Sequence, residues 1–303
     1  MLNILTYNVC WENMEGKNSG KINGTKCIQN NRNVCLKNVV DLIKKNRKEH
    51  KLDFILLQEQ VSFDKYLQHK SYANYISKSG REKMITLWNK KTVICKSKHN
   101  TEFSRGRPIQ VLFFKMKKDN NNSNMNSTNN SNRNNNNSNR SNSNNNNTNS
   151  NNRNEKTNNS KNNKVIDYSD YICLINVHCG HDSNNNISQL IKILKKLKLS
   201  KLERNILKKG LMIIGGDFNL DIPILIGKLN NDLIFGKRKF YNENRMSSSN
   251  SKDYKMRGIY NIDHVLSTNK KAKSTAIKTG EWFSDHYPLI SSLVLLEKEL
   301  TEN

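Results

Sequence analysis

Short apolar runs alternate along this chain with longer stretches in which apolar residues recur every third or fourth position. The runs at 2–9, 54–57, 84–88, 92–95, 110–116, 171–177, 211–214, 262–266 and 289–295 read as strands. Residues 33–48 carry Val34, Leu36, Val39, Val40 and Ile43 at helical spacing. Residues 187–209 repeat the pattern with Leu190, Ile193, Leu194, Leu197, Leu202 and Ile206, and lysine is the commonest residue at the other positions. Such a helix could lie on a membrane surface, but its stripe is the ordinary face of a helix packed on a sheet.

One stretch breaks the pattern. Between residues 120 and 163, 26 of 44 residues are Asn, and Ser, Thr, Arg and Lys make up most of the rest. Such a composition cannot bury enough apolar surface to offset its chain entropy, so a disordered insertion is expected at 119–164. It falls between two strand-like runs, 110–116 and 171–177. A long surface loop is tolerable there if those two strands are neighbours, because closure entropy grows slowly with length. The remainder of the 303 residues then forms one interrupted domain spanning 1–300. A role for the tract in assembly or RNA binding has no specific support.

The formal net charge is +25, and the Asn-rich tract holds few of the charged residues. A basic surface attracts polyanions, namely nucleic acid, anionic headgroups or phosphorylated metabolites, although Lys and Asn enrichment from AT-rich coding would give the same count without a partner. No run is long enough to cross a membrane, and the first run turns polar by Asn8 with no charged segment before it. An intracellular protein, cytoplasmic or nuclear, with no signal peptide is therefore expected. The six cysteines form no CxxC pair and are expected as reduced thiols, and the segment His178-Cys179-Gly180-His181 lacks the second ligand cluster of a zinc site.

Polar residues of one chemical kind gather at the strand ends. Asn8 closes the first run, Glu59 follows the second, and His178 ends the run at 171–177. Asp217 and Asn219 follow Leu211-Met212-Ile213-Ile214-Gly215-Gly216, Asp263 and His264 interrupt an apolar run, and Asp285-His286 precede another. A single carboxylate at such a place is usually a turn or cap residue. A succession of carboxylates, amides and imidazoles asks for a hard cation, Mg²⁺ or Mn²⁺, to hold the carboxylates together. Imidazoles beside it can move protons at a phosphoryl group. Together with the basic surface, the set points to phosphate-ester hydrolysis.

The segments Leu5-Thr6-Tyr7-Asn8, Leu56-Leu57-Gln58-Glu59, Asn176-Val177-His178, Gly215-Gly216-Asp217-Phe218-Asn219-Leu220, Ile262-Asp263-His264-Val265 and Ser284-Asp285-His286-Tyr287-Pro288-Leu289 resemble, in order, the motifs of the endonuclease/exonuclease/phosphatase superfamily, which shares the fold of pancreatic deoxyribonuclease. The resemblance runs from residue 5 to residue 289. It implies an α+β fold: a two-sheet β-sandwich flanked by helices on both outer faces, with the site at one end. By the same resemblance Glu59 and Asp285 hold Mg²⁺ with help from Asn8, and Asp217 orients and deprotonates the attacking water. Asn219 positions water and phosphate, and His286 contacts the scissile phosphate with its tautomer fixed by Asp263. His178 is the second imidazole, at the leaving or a non-bridging oxygen.

Two further segments resemble the deoxyribonuclease-like branch. Glu82 opens a strand like the one whose glutamate backs the equivalent of His178, and Arg105 or Arg107 matches the arginine that touches the DNA backbone. Glu82 could instead pair with a lysine, and the arginines could cap a strand. The tyrosine common just before that glutamate is replaced by Gly80-Arg81. Abasic-site enzymes carry Asn where His178 stands, and inositol phosphatases carry a Pro-x-Trp-Cys-Asp-Arg segment absent here. The expected activity is that of a Mg²⁺-dependent phosphodiesterase, a nuclease on DNA or RNA, working as a monomer. Lys237-Arg238-Lys239 and Arg257 are candidate backbone contacts or simply solvated loops. Hydrolysis of small or lipid phosphates, sphingomyelinase-like or DNA-end-processing activity, and a degenerate nucleic-acid-binding module are the alternatives. Metal and imidazoles read only the phosphate, so these residues do not select among substrates.

Overall fold

The computed structural model describes residues 1–9, 32–60, 63–80, 82–103, 106–118, 166–180, 183–220, 222–236, 238–241, 262–269, 272–277, 284 and 286–295. The chain falls into two units, Met1–Lys117 with Tyr168–Asn303, and Lys118–Asp167. The elements below all belong to the first. The Asn-rich stretch expected at 119–164 lies outside the described residues.

Two mixed sheets face each other. The first has the order β10-β11-β1-β2-β4-β3, with β1 (Leu2–Asn8), β2 (Phe54–Gln58), β3 (Tyr72–Ser79), β4 (Glu82–Asn89), β10 (Ala272–Ala276) and β11 (Leu289–Leu293). The second runs β5-β6-β7-β8-β9, with β5 (Val93–Glu102), β6 (Pro108–Met116), β7 (Tyr171–His178), β8 (Leu211–Asp217) and β9 (Asp263–Ser267). β1 and β2 are parallel, as are β7 and β8, and the other pairs are antiparallel. β6 and β7 are neighbours, joined in register from Lys115↔Tyr171 to Ile109↔Val177, as the tolerance of a long insertion between them requires. This is the α+β sandwich that the resemblance implies.

Side chains alternate across each strand, so every strand serves two layers. Ile4, Phe54, Leu56, Leu112, Leu174 and Ile213 meet between the sheets. The intervening Leu5, Ile55 and Leu57 pack outward under Val39 and Ile43 of helix α1 (Arg32–Glu49) and Phe63 of the short α2 (Phe63–Tyr66). On the other outer face Val111, Phe113, Cys173, Ile175 and Ile214 lie under Ile187, Leu190 and Leu194 of α3 (Ser183–Lys196), Ile206 of α4 (Lys201–Lys209) and Leu225 of α5 (Ile222–Asn230). Among the described residues no helix is long and apolar enough to cross a membrane.

The helix expected over 187–209 is two helices. Ser200 interrupts it as the N-cap of α4: its hydroxyl accepts from Glu203 N at 3.2 Å, and Glu203 Oε2 accepts from Ser200 N at 2.6 Å, a complete capping box. Glu203 also receives Ser97 and His99 from β5, tying helix to sheet. Burial alone would raise the Glu203 carboxyl, but the bonds from Ser97, His99 and Ser200 outweigh it and bring its pKa down to about 2. A carboxylate depressed on folding stabilises the fold above its unfolded value and loses that contribution as pH falls toward 2. Glu203→Gln is expected to cost about 1.5–3 kcal/mol at pH 7, in line with hydrogen bonds to a charged group. In urea melts the gap from wild type should close as pH drops from 5 to about 2.

Gly216 has no room for a side chain. Its φ is +144°, and a Cβ there would stand 1.9 Å from the Val177 carbonyl oxygen on β7. Gly216→Ala must therefore push β8 off β7 beside Asp217. A loss of about 3 kcal/mol or more is expected in denaturant unfolding.

Two further expectations need correction. Cys35, buried in α1, is disulfide-bonded, whereas Cys95, Cys173 and Cys179 are free thiols as expected. Arg238 is not a nucleic-acid contact near the site. Its guanidinium is spent on the carbonyls of Leu207 and Gly210 at the C-terminus of α4, where β8 begins, the end of that strand opposite Asp217. Lys237 and Arg257 lie outside the described residues.

Candidate active site

The site forms where the inward-facing rows of both sheets run out of apolar residues. On β1 the row passes from Ile4 to Thr6 to Asn8, on β7 from Leu174 to Asn176 to His178, and on β8 from Ile213 to Gly215 to Asp217. Register then aligns the chemistry: His178 pairs with Asp217, and Asp217 with Asp263, so three strands carry one line of polar side chains. Across the gap Asn8 pairs with Gln58, the residue before Glu59.

Asp217 is the centre. Its Oδ1 accepts from Asn219 N at 2.8 Å and its Oδ2 from Asn8 Nδ2 at 3.0 Å. The same Oδ2 stands 3.6 Å from His178 Nε2 and 3.8 Å from His286 Nε2. Asn8 Nδ2 also donates to Glu59 Oε1 at 3.3 Å, which in turn lies 3.2 Å from His178 Nε2.

Each imidazole has its own carboxylate behind it. His286 Nδ1 donates to Asp263 Oδ2 at 2.7 Å, and His178 Nδ1 to Glu82 Oε1 at 2.6 Å. Arg107 Nη1 bonds both His178 Nε2 and the Cys179 carbonyl. A guanidinium only donates, so Nε2 accepts and the proton of His178 sits on Nδ1, facing Glu82. Burial disfavours charge on both members of that pair. It lowers His178 to about 4 despite Glu59, and raises Glu82 to about 8 despite Arg107.

Two site residues have left-handed backbone, Glu59 and Asn219, each at φ +49°. Asn tolerates this conformation and Glu rarely does, so the Glu59 turn is held by its surroundings at some cost in strain. Asn219 is fixed further by donation from Nδ2 to the Cys179 carbonyl at 2.7 Å. Ser284 ties the last segment in: its hydroxyl donates to Asn8 O at 2.8 Å and accepts from His286 N at 3.2 Å.

The structure thus brings together Asn8, Glu59, Glu82, Arg107, His178, Asp217, Asn219, Asp263 and His286. Arg105 and Asp285 lie outside the described residues. His264 points away, its Nε2 bonded to the Leu220 carbonyl at 2.8 Å. The sequence reading missed a buried polar layer directly beneath the site. Gln58 Nε2 donates to Asn176 Oδ1 at 2.7 Å and to Thr6 Oγ1 at 3.1 Å. Asn176 Nδ2 donates to Thr86 Oγ1 at 3.2 Å and Gln110 Oε1 at 3.3 Å, and Thr86 Oγ1 donates to Gln110 Oε1 at 2.7 Å. All five are fully buried between the sheets. A satisfied network of this kind locks the strands that aim Asn8, Glu59 and His178. Its only sequence signal was a polar residue one or two positions before each of those three.

No protein-family model matches the sequence. An uncharacterised protein of Acanthamoeba polyphaga mimivirus is 33% identical over 135 residues, or 43% of this chain, which spans about a quarter (27%) of that relative's length. Solved structures agree over nearly the whole chain. ANGEL2, a 2′,3′-cyclic phosphatase, superposes with a TM-score of 0.58 at 12% identity, over 96% of this chain and 94% of its own. The mannosyl-6-phosphatase of Bacteroides thetaiotaomicron gives 0.54 at 14% identity, over 97% and 100%. TDP2 of D. rerio, complexed with a single-strand DNA product, gives 0.51 at 13% identity, over 96% and 97%. The fold is that of the endonuclease/exonuclease/phosphatase proteins.

Proposed function

We propose that this chain is a divalent-metal-dependent phosphodiesterase that cleaves DNA or RNA. The observation that carries the reading is the convergence of two imidazoles, each backed by its own carboxylate, on Asp217 Oδ2. Structural histidines do not need such an arrangement, whereas in-line displacement at phosphorus needs a base on one side and proton donors around the phosphoryl oxygens.

The donor set fits a hard cation. Asp217, Asp263 and His286 offer ligand atoms within 4.8 Å of one another, but Asp263 already accepts from His286 Nδ1 at 2.7 Å. Glu59 is the better placed carboxylate. Its side chain is 19% exposed, against 2% for Asp217 and 0% for Asp263, and Mg²⁺ keeps several of its waters. Asn8 and Asp285 are the further ligands that the resemblance supplies, Asn8 through its amide oxygen while Nδ2 stays on Asp217. When bound, Mg²⁺ or Mn²⁺ contributes positive charge where the phosphoryl oxygens gain negative charge.

The chain's own residues do the rest. Asp217 Oδ2 accepts the proton of a water attacking phosphorus, held in line by Asn8 and by the Asn219 amide on the other oxygen. His286 presents Nε2 to a phosphoryl oxygen, and Asp263 stabilises the imidazolium through Nδ1. Arg107 offers donors to a non-bridging oxygen. Once it turns to the phosphate, His178 Nε2 is released, and a protonated Glu82 allows the Nε2–H tautomer, a donor at the leaving oxygen.

Purified protein should be tested on supercoiled plasmid, single- and double-stranded DNA, RNA and a chromogenic phosphodiester, each with Mg²⁺ or EDTA. Cleavage of a polynucleotide that disappears in EDTA is expected. Hydrolysis confined to sugar, cyclic or lipid phosphates would replace the nuclease reading with that of a small-substrate phosphatase. Binding without any cleavage would make the chain a degenerate module.

A further inference from the structure

At the end of the sandwich opposite the site, the start of β1, the segment leading into β2, the end of α1 and the β4–β5 turn enclose an open cavity of about 820 Å³. Lys44, Arg47, Lys48 and Lys51 line it from the last turns of α1 and the residues after it, and Lys91 faces them from the β4–β5 turn. Among the described residues, no carboxylate lies within ion-pair distance of Lys44, Lys48, Lys51 or Lys91. The C-terminal dipole of α1 favours Arg47 and Lys48, but it gives no reason for Lys91 on a different element. The one acidic residue in the cavity, Asp53, is 4% exposed and accepts from Asn3 N at 2.9 Å. Aromatic rings stand among the cations: Arg47 lies 5.4 Å over the Tyr72 ring, and His69 meets Tyr72 edge-on at 5.8 Å.

We infer that this cleft is a second contact for a single-stranded polynucleotide, with the lysines on its phosphates and the His69–Tyr72 pair beside a base. The inference rests on the nuclease reading and deepens it. A concave cationic cleft with ring edges suits a strand with splayed bases better than the plane of a membrane. From Asn3 to Asn8, β1 covers roughly 17 Å, so a strand of many nucleotides can reach both cleft and site, and a mononucleotide cannot. His69 reports the local potential: slight burial, then Arg47, Lys70 and Lys91, depress its pKa, and a bound polyanion must raise it.

The test is Lys44→Glu/Lys48→Glu/Lys91→Glu, three exposed positions outside the catalytic machinery. Binding of a labelled 30-nucleotide single-stranded DNA is measured at several salt concentrations in the Asp217→Asn background, which prevents turnover. Each single-strand phosphate contact contributes about 0.7 to the log–log salt slope, so the triple change should flatten it by about 2 and weaken binding at least about tenfold at 0.1 M salt. Hydrolysis of the chromogenic phosphodiester by the triple variant in an otherwise wild-type chain should stay within about twofold. By NMR, the 30-mer should raise the His69 pKa. If the Asp217→Asn protein binds the 30-mer and the added triple change alters neither affinity nor slope, this inference is overturned and the nuclease reading stands. If the Asp217→Asn protein binds no polynucleotide and wild type cleaves only small phosphates, both fall. Binding to anionic lipid vesicles but not to the 30-mer also overturns it, in favour of a membrane.

Discussion

Asp217→Asn is expected to lower phosphoester turnover by about 10²–10⁴-fold, the range for losing a positioned general base. The substitution keeps size and shape, but an amide in place of Asp217 sets a donor against Asn8 Nδ2, now at 3.0 Å from Oδ2, or against Asn219 N, now at 2.8 Å from Oδ1. A half-turn of the Asn8 amide relieves the first clash, so a stability cost of only about 1–2 kcal/mol should accompany the loss. Thermal melts alongside single-turnover rates separate the two effects. A folded variant that retains wild-type turnover would remove Asp217 from the chemistry.

The second large effect is expected at a residue that touches no substrate. Asp263 is fully buried, and His286 Nδ1 donates to it at 2.7 Å. Asp263→Asn leaves the ring in place but can no longer stabilise an imidazolium, and its amide can present the wrong atom to Nδ1. Carboxylate-to-amide changes behind a catalytic imidazole cost up to about 10⁴-fold in kcat. The loss should therefore fall on kcat with KM nearly unchanged. Any remaining activity should show the His286 limb of its pH profile moved to lower pH, because the imidazolium has lost its counter-charge. A purely structural role for Asp263 would lower stability and leave the pH profile where it was.

How much of this could be read in the chain depended on where each element sits. Strands in the interior of a sheet are apolar on both faces, and β1, β2, β4, β6, β7, β8 and β11 were all legible as apolar runs; β9, an edge of the five-stranded sheet, was legible too because all five of its residues are buried. The two strands missed, β3 and β10, are the edges of the six-stranded sheet. Their segments, Tyr72–Ser79 and Ala272–Ala276, are largely polar or small because one side of an edge strand faces solvent. For the same reason β5, an edge of the other sheet, was visible only at its start. The break at Ser200 was legible in principle as Ser-x-x-Glu, but the lysine-rich pattern ran through it. In the site, the carboxylates and imidazoles stood out because most of them lie at or near an end of an apolar run. Which imidazole pairs with which carboxylate came only from the family resemblance and not from spacing, because His178 and Glu82 are 96 positions apart and are joined only by the packing of one sheet on the other. The inner polar layer was hidden for a different reason: Thr6, Thr86, Gln58, Gln110 and Asn176 sit inside strands where a single polar residue looks like an interruption.

The most direct test of the central claim is the rate of chromogenic phosphodiester hydrolysis by wild type, Asp217→Asn and Glu59→Gln, compared across a Mg²⁺ titration. Wild type should turn over with saturable dependence on Mg²⁺. Asp217→Asn should be nearly inactive at every concentration, and Glu59→Gln should need far more Mg²⁺ to reach any activity. Metal-independent hydrolysis by wild type, or equal rates in all three proteins, would contradict a site built from Asp217, its two imidazoles and a cation held at Glu59.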